Sequence, residues 1–176
     1  MCAMTDAARE DRLMQQAAGG NRGAMDRLYG ELSTSLFNYL LRLAGDPDKA
    51  NDALQATFLN AWQGRASFQG HGARPWLFVI AKNAVFRMHK PKPDLVLFND
   101  SAAQASPADE HEAAELADRL DDALARLPAD TREAIVLSRV SGLSLDEIAA
   151  LLGTSNGALR VRLSRGLKQL EQELEP

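Results

Sequence analysis

The stretch from Ser144 to Leu163, SLDEIAALLGTSNGALRVRL, leaves its part of the chain few conformational choices. Ser144 followed three residues later by Glu147 is a capping box, which starts a helix by satisfying its first backbone donors. The short helix ends at Leu152-Gly153, where glycine can take the positive φ that a tight turn requires. Thr154-Ser155 then opens a second helix that runs to about Leu174. Ala149 is small where the two helices must cross closely, and Ile148, Leu152, Leu159 and Leu163 supply a shared apolar core. A capped helix, a glycine turn and a second helix at this spacing make a helix-turn-helix.

The charge on the second helix says what the motif is for. At about 100° per residue, Leu159, Leu163, Leu167, Leu170 and Leu174 fall on one face. Arg160, Arg162, Arg165 and Lys168 occupy the remaining surface, and no acid lies between Ser155 and Gln169. Arginine can bond bidentately to guanine in the major groove, and either cation can hold phosphate. A helix N-terminus favours phosphate as well. A merely solvated basic face would need no capped partner helix and no glycine turn, so the combination points to DNA. The candidate contacts are Ser155, Asn156, Ala158, Arg160, Arg162, Arg165 and Lys168.

A net charge of −4 over 176 residues looks wrong for a DNA binder until it is divided along the chain. Residues 1–92 carry 12 Lys/Arg against 8 Asp/Glu, residues 93–127 carry 2 against 9, and residues 128–176 carry 6 against 7. The acid is concentrated in the middle, so net charge does not exclude DNA.

Leu and Ala dominate while Val, Ile and Thr are sparse, which favours an all-α protein. The N-terminal part reads as four helices. Leu13 to Ala18 belongs to a first helix, which ends at Gly19-Gly20-Asn21. The second, about Ala24 to Ala44, stops at Gly45-Asp46-Pro47-Asp48, a stop and restart because proline suits only a first turn. The third spans about Asp48 to Trp62. Gly64 to Arg74 is a glycine-rich loop. The fourth starts at Pro75 and fails near Lys90, before Pro91 and Pro93. A linker of prolines, Ser, Ala and acids follows. Its Leu95-Val96-Leu97-Phe98 patch is expected to dock on something, since a connector needs no four apolar residues in a row. Helices at about Glu112 to Arg126 and Pro128 to Val140 precede the helix-turn-helix. The expected architecture is two small helical domains, 1–92 and 112–176, joined by a flexible acidic segment, 93–111.

Several functions are excluded on the same basis. No apolar run approaches the roughly 20 residues needed to cross a bilayer, and the longest is Trp76 to Ala81. The first residues lack a signal-peptide pattern. Cys2 is the single cysteine, and His71, His89 and His111 are scattered, so neither a disulfide nor a metal cluster is expected. No nucleophile–base pair or phosphate loop appears. The expectation is a cytoplasmic protein that is not an enzyme and needs no cofactor.

Three stretches carry a resemblance to the extracytoplasmic-function (ECF) group of sigma factors in the sigma-70 family. Ala50 to Trp62, ANDALQATFLNAW, resembles the region-two helix that docks on the polymerase β′ clamp. Arg74 to Asn83, RPWLFVIAKN, resembles the promoter-melting segment that follows it. Leu124-Ala-Arg-Leu-Pro, then Arg132-Glu, then Gly142 to Arg165 resemble region four. The resemblance implies a factor that binds core RNA polymerase, at the β′ clamp and β flap, and directs it to promoter DNA. It implies that region four reads the minus-thirty-five element, while region two captures an unstacked minus-ten base before Trp76. Phe68, Arg74, Lys82, Asn83, Arg87 and Lys90 would then contact the minus-ten DNA, and Asp52, Leu54, Gln55, Phe58 and Leu59 the core polymerase. It further implies an anti-sigma factor, control by a stress signal, and a monomer when free.

The pattern departs from the family twice. Ala56 follows Gln55 where an acid is usual, and Arg87 replaces the usual Asp, with the following cations reduced to Lys90 and Lys92. These departures point to weaker core binding and fewer phosphate contacts. Two other readings therefore stand beside a working sigma factor. One is a sigma-like decoy that only captures an anti-sigma factor; the other is a stand-alone helix-turn-helix repressor.

Overall fold

A computed structural model of the chain describes residues 6–88 and 119–174, and within them it is helical, with no strand. The elements are α1 (Asp6–Ala18), α2 (Arg22–Ala44), α3 (Pro47–Gly64), a single 3-10 turn (Arg65–Ser67) and α4 (Ala73–Met88). After the undescribed middle come α5 (119–126), α6 (Ala129–Val140), α7 (Leu145–Leu151) and α8 (Asn156–Leu174). They fall into two compact units, one of α1–α4 and one of α5, α6 to Arg139, α7 and α8. Lys90, Lys92 and the Leu95–Phe98 patch lie outside the described residues.

In the first unit the helix starts are written into the sequence. The Asn21 side chain accepts the Ala24 N–H at 3.2 Å and caps α2. The Asp46 carboxylate accepts the N–H groups of Asp48 and Lys49, at 2.9 and 3.0 Å, and Pro47 occupies the first turn of α3. The backbone bond from Lys49 is the main reason the Asp46 carboxyl is held below its usual value. Leu28, Leu32, Leu36 and Leu40 recur every four residues on α2 and are all fully buried. They meet Met14 of α1 and Leu77 and Phe78 of α4 in one core, with the Tyr39 and Phe78 rings 5.2 Å apart. Each such side chain contributes about 1.5–3 kcal/mol by leaving water.

α1 contains the expected Leu13 to Ala18 stretch and begins at Asp6, and α4 starts at Ala73 rather than Pro75. The polar edge of α1 is used for tertiary bonds, which hydrophobic periodicity does not register. Asp11 accepts the Ala73 N–H at 2.7 Å, so a residue of α1 caps α4 across the bundle.

The second unit packs Ala123, Leu124 and Leu127 against Ile135 and Leu170, with Leu120, Leu163, Leu167 and Leu174 around them. Arg132 ties down the end of α5 by donating to the carbonyls of Leu124 (2.8 Å), Ala125 (2.7 Å) and Leu127 (3.3 Å). A cation there completes helix carbonyls that lack partners of their own. Gly166 is buried in α8 because a Cβ would lie 2.4 Å from Thr131 Cγ2 and 2.8 Å from Ile135 Cδ1. A side chain at this position would hold α8 away from α6.

Candidate nucleic-acid interface

The helix-turn-helix forms as its sequence prescribes. The Ser144 Oγ accepts the Glu147 N–H at 3.3 Å, and Glu147 Oε2 accepts the Ser144 N–H at 2.8 Å, completing the box at the start of α7. Gly153 turns the chain at φ 64°. Ser155 then caps α8, its Oγ accepting the Ala158 N–H at 3.2 Å. Ile148 and Leu159 are fully buried between the two helices, whereas Leu152 and Leu163 are half-buried at the edge of that core.

Burying Leu159, Gly166 and Leu170 fixes which face of α8 is left for a partner. Ser155, Ala158, Arg160, Arg165 and Lys168 are exposed, and Arg162 is half-buried beside the core edge. Val161 was not among the sequence candidates, yet it is 50% exposed near the centre of this face. Its position among arginines was the available signal, and a reading centred on charge passed over it. Asn156 is engaged within the protein: its Nδ2 donates to Asp146 Oδ1 at 2.6 Å, and its Oδ1 accepts the Arg160 Nε–H at 2.7 Å.

In the first unit the loop at 68–72 is held from α1. Gln15 Nε2 donates to the Gly70 carbonyl at 2.6 Å, and Asp11 caps the helix start just beyond. Phe68 is half-buried with its ring 5.6 Å from that of Trp76. The sequence placed Arg74 among the minus-ten contacts; in the structure its guanidinium is engaged with α1. Its guanidinium forms a two-pronged ion pair with Glu10, whose side chain is only 2% exposed, with Nε to Oε2 at 3.0 Å. A buried carboxylate needs a cation, and Arg74 supplies it to Glu10.

α4 instead offers a row one turn apart. Lys82 is half-buried, Asn83 and Arg87 are exposed, and the Lys82 ammonium lies 5.7 Å from the Phe86 ring. Phe86 (58% exposed) and Val79 (43%) stand on the same side and were missed. Apolar residues lie all round α4, so periodicity could not tell its buried face from its exposed one.

On α3 the five candidate polymerase contacts separate. Leu54 (5% exposed) and Phe58 (8%) are core residues, the Phe58 ring edge-on to Tyr29 at 4.9 Å. Asp52, Gln55 and Leu59 are exposed, Leu59 by 58%. The period of the helix turns Leu54 and Phe58 inward, while Asp52, Gln55 and Leu59 are left on the outer face.

Comparison with known proteins identifies the class. Residues 28–91 match the model of Sigma-70 region 2, and residues 117–170 that of Sigma-70, region 4. The chain is 36% identical over 165 residues to the RNA polymerase sigma factor CarQ of Myxococcus xanthus, spanning 92% of this chain and 95% of that one. It is 34% identical to the ECF RNA polymerase sigma factor SigL of Mycobacterium tuberculosis, over 90% of this chain and 93% of that one. The protein belongs to the ECF RNA polymerase sigma factors of the sigma-70 family. Among solved structures it is similar to CnrH in complex with the cytosolic domain of CnrY, with a TM-score of 0.74, 27% identity and coverage of 94% and 97% of the two chains. It is also similar to the sigma factor RpoE in complex with the anti-sigma factor NepR from Bartonella quintana, with a TM-score of 0.64, 29% identity and coverage of 84% and 96%.

Proposed function

We propose that the chain acts as a working ECF sigma factor: it joins core RNA polymerase, directs it to a two-part promoter and allows the DNA to open. The observation that carries this reading is the presence of both regions, in order, in a chain that spans 95% of a similar sigma factor. The same fact disfavours a stand-alone repressor, which has no use for region two.

The division of labour follows the exposed surfaces. Region four, taken as residues 112–176, reads the minus-thirty-five element with Arg160, Arg162, Arg165 and Lys168, and Val161 adds an apolar contact of the kind a thymine methyl accepts. Region two, taken as residues 1–92, holds an unstacked minus-ten base near Phe68. It follows the DNA along Lys82, Asn83, Phe86 and Arg87, with Lys90 beyond. Asp52, Gln55 and Leu59 face core polymerase. The factor serves an enzyme without itself carrying out chemistry, and it works in the cytoplasm. Among the described residues no helix is long and apolar enough to cross a membrane.

An anti-sigma factor is the expected inhibitor. Two similar structures were solved with a second protein bound, one of them named as an anti-sigma factor. The residues 93–111 between the two domains give such a partner a segment to grip.

Reconstitution with core polymerase tests the whole reading. Transcription should start from promoters carrying the preferred elements, and Arg162→Ala should weaken use of the upstream element while core binding stays intact. A chain that captures an anti-sigma factor yet never initiates would be a decoy. Loss of core binding in Arg162→Ala would contradict the separation of roles.

A further inference from the structure

Asp146, Asn156 and Arg160 form a chain of hydrogen bonds across the turn of the helix-turn-helix. The Asp146 carboxylate accepts from Asn156 Nδ2 at 2.6 Å, and Asn156 Oδ1 accepts from Arg160 Nε at 2.7 Å. These bonds join the first turn of α7 to the first two turns of α8. Two features need explaining. Asp146 is an exposed acid on a motif whose partner is a polyanion, so its charge opposes binding. It is not needed as a cap, because Ser144 and Glu147 already complete the capping box of α7.

We infer that Asp146 and Asn156 are positioning residues that set the base specificity of Arg160. The chemistry is that of a constrained fork. A guanidinium has five N–H donors in a rigid plane. With Nε held by Asn156, the donors left for DNA are those of Nη1 and Nη2 at the far end. That pair matches the O6 and N7 acceptors of one guanine. A free arginine can turn to a phosphate or to a neighbouring base, whereas one fixed at Nε approaches end-on. Asn156 needs a definite amide orientation to serve Arg160, and Asp146, which can only accept, imposes it by requiring the NH2 side. The acid thus sacrifices some overall attraction to DNA and gains discrimination at one base pair. Asn156, expected from the sequence to touch DNA, acts through Arg160 instead.

The inference rests on the reading of α8 as the minus-thirty-five helix, and the test keeps the two apart. Full-length protein is assembled with core polymerase and offered promoters with a randomised upstream element, and the bound pool is sequenced. Arg160→Lys identifies the position that Arg160 reads, through a loss of guanine preference of about tenfold. Asn156→Ala and Asp146→Asn should each lose preference at that same position by about threefold or more, with the other positions unchanged. In the Arg160→Lys background neither should cause a further loss. Asp146→Asn should also leave binding to unrelated DNA equal or tighter, which a generally damaged domain would not do. Core binding and the thermal midpoint of each variant, measured in parallel, should match the parent within a few degrees. The inference is overturned if Asn156→Ala loses preference at a position of its own, or if neither variant changes any preference. If the parent holoenzyme selects no upstream element, the functional reading fails, and this inference fails with it.

Discussion

Gly166 shows how much one atom can matter in a domain this small. Its Cα faces Thr131 and Ile135 so closely that an added methyl would overlap both. Gly166→Ala gains helix propensity, worth about 1 kcal/mol in an exposed helix. That gain is outweighed, because overpacking a fitted contact costs about 1–3 kcal/mol, and two side chains must move here. The expected result is a lower midpoint in chemical denaturation for the second unit with an unchanged first unit; a more stable variant would mean that α6 and α8 are less closely joined. Asp46 offers a second case, governed by pH. Its carboxyl is held below its ordinary value first by the Lys49 N–H, with the Asp48 N–H and the Lys49 charge adding to that. A group whose pKa is lowered by folding stabilises the fold above its unfolded value, and that stability is lost as pH falls through the folded one. Helix content should therefore begin to fall below about pH 4, where ordinary Asp titrates. Asp46→Asn should make that part of the acid transition disappear, as followed by circular dichroism.

At the scale of elements, α1 is the part of the first unit that the sequence conveyed least well. Its apolar residues Leu13, Met14 and Ala17 face the core and were legible, but its polar edge holds the loop before α4. Those bonds join residues more than fifty positions apart, so no local pattern can announce them. The helix-turn-helix was legible in detail because its signals are local: a cap three residues from its partner, a glycine at the turn and leucines at helical spacing. The candidate interface on α3 fell between these cases. Period and composition placed the helix, but Leu54 and Phe58 are apolar both in a core and at a docking surface, and only packing distinguishes the two. The loop makes a prediction at this scale. Gln15 is exposed, and its side-chain amide donates to the Gly70 carbonyl. Such a bond contributes about 0.5–1.5 kcal/mol, so Gln15→Ala should leave stability nearly unchanged while loosening the segment beside Phe68. Open-complex formation should fall by about three- to tenfold, with Gln16→Ala, its exposed neighbour, as the silent control. Equal behaviour of the two variants would show that the loop needs no support from α1.

For the whole molecule the decisive feature is where the charge lies. The protein is net negative at −4, yet its candidate DNA-facing rows on α4 and α8 are basic, and the excess acid falls in residues 93–127. Long-range attraction depends on the summed field, while close contact depends on the local one. A free chain should therefore be repelled from bulk DNA at long range, with attraction arising where its basic rows meet phosphate. Neutralising Asp109, Glu110, Glu112, Glu115 and Asp118 to their amides reverses the sign of the net charge without touching either row. The free variant should bind unrelated duplex more tightly than the parent, with the difference largest at low salt and shrinking as the screening length falls from about 10 Å at 0.1 M towards 3 Å at 1 M. Promoter use by the holoenzyme should change far less, because close contact depends on the basic rows, which the substitutions leave untouched. If the neutralised chain and the parent bound unrelated DNA equally at every salt concentration, the acidic segment would have no role in keeping the free factor off the chromosome.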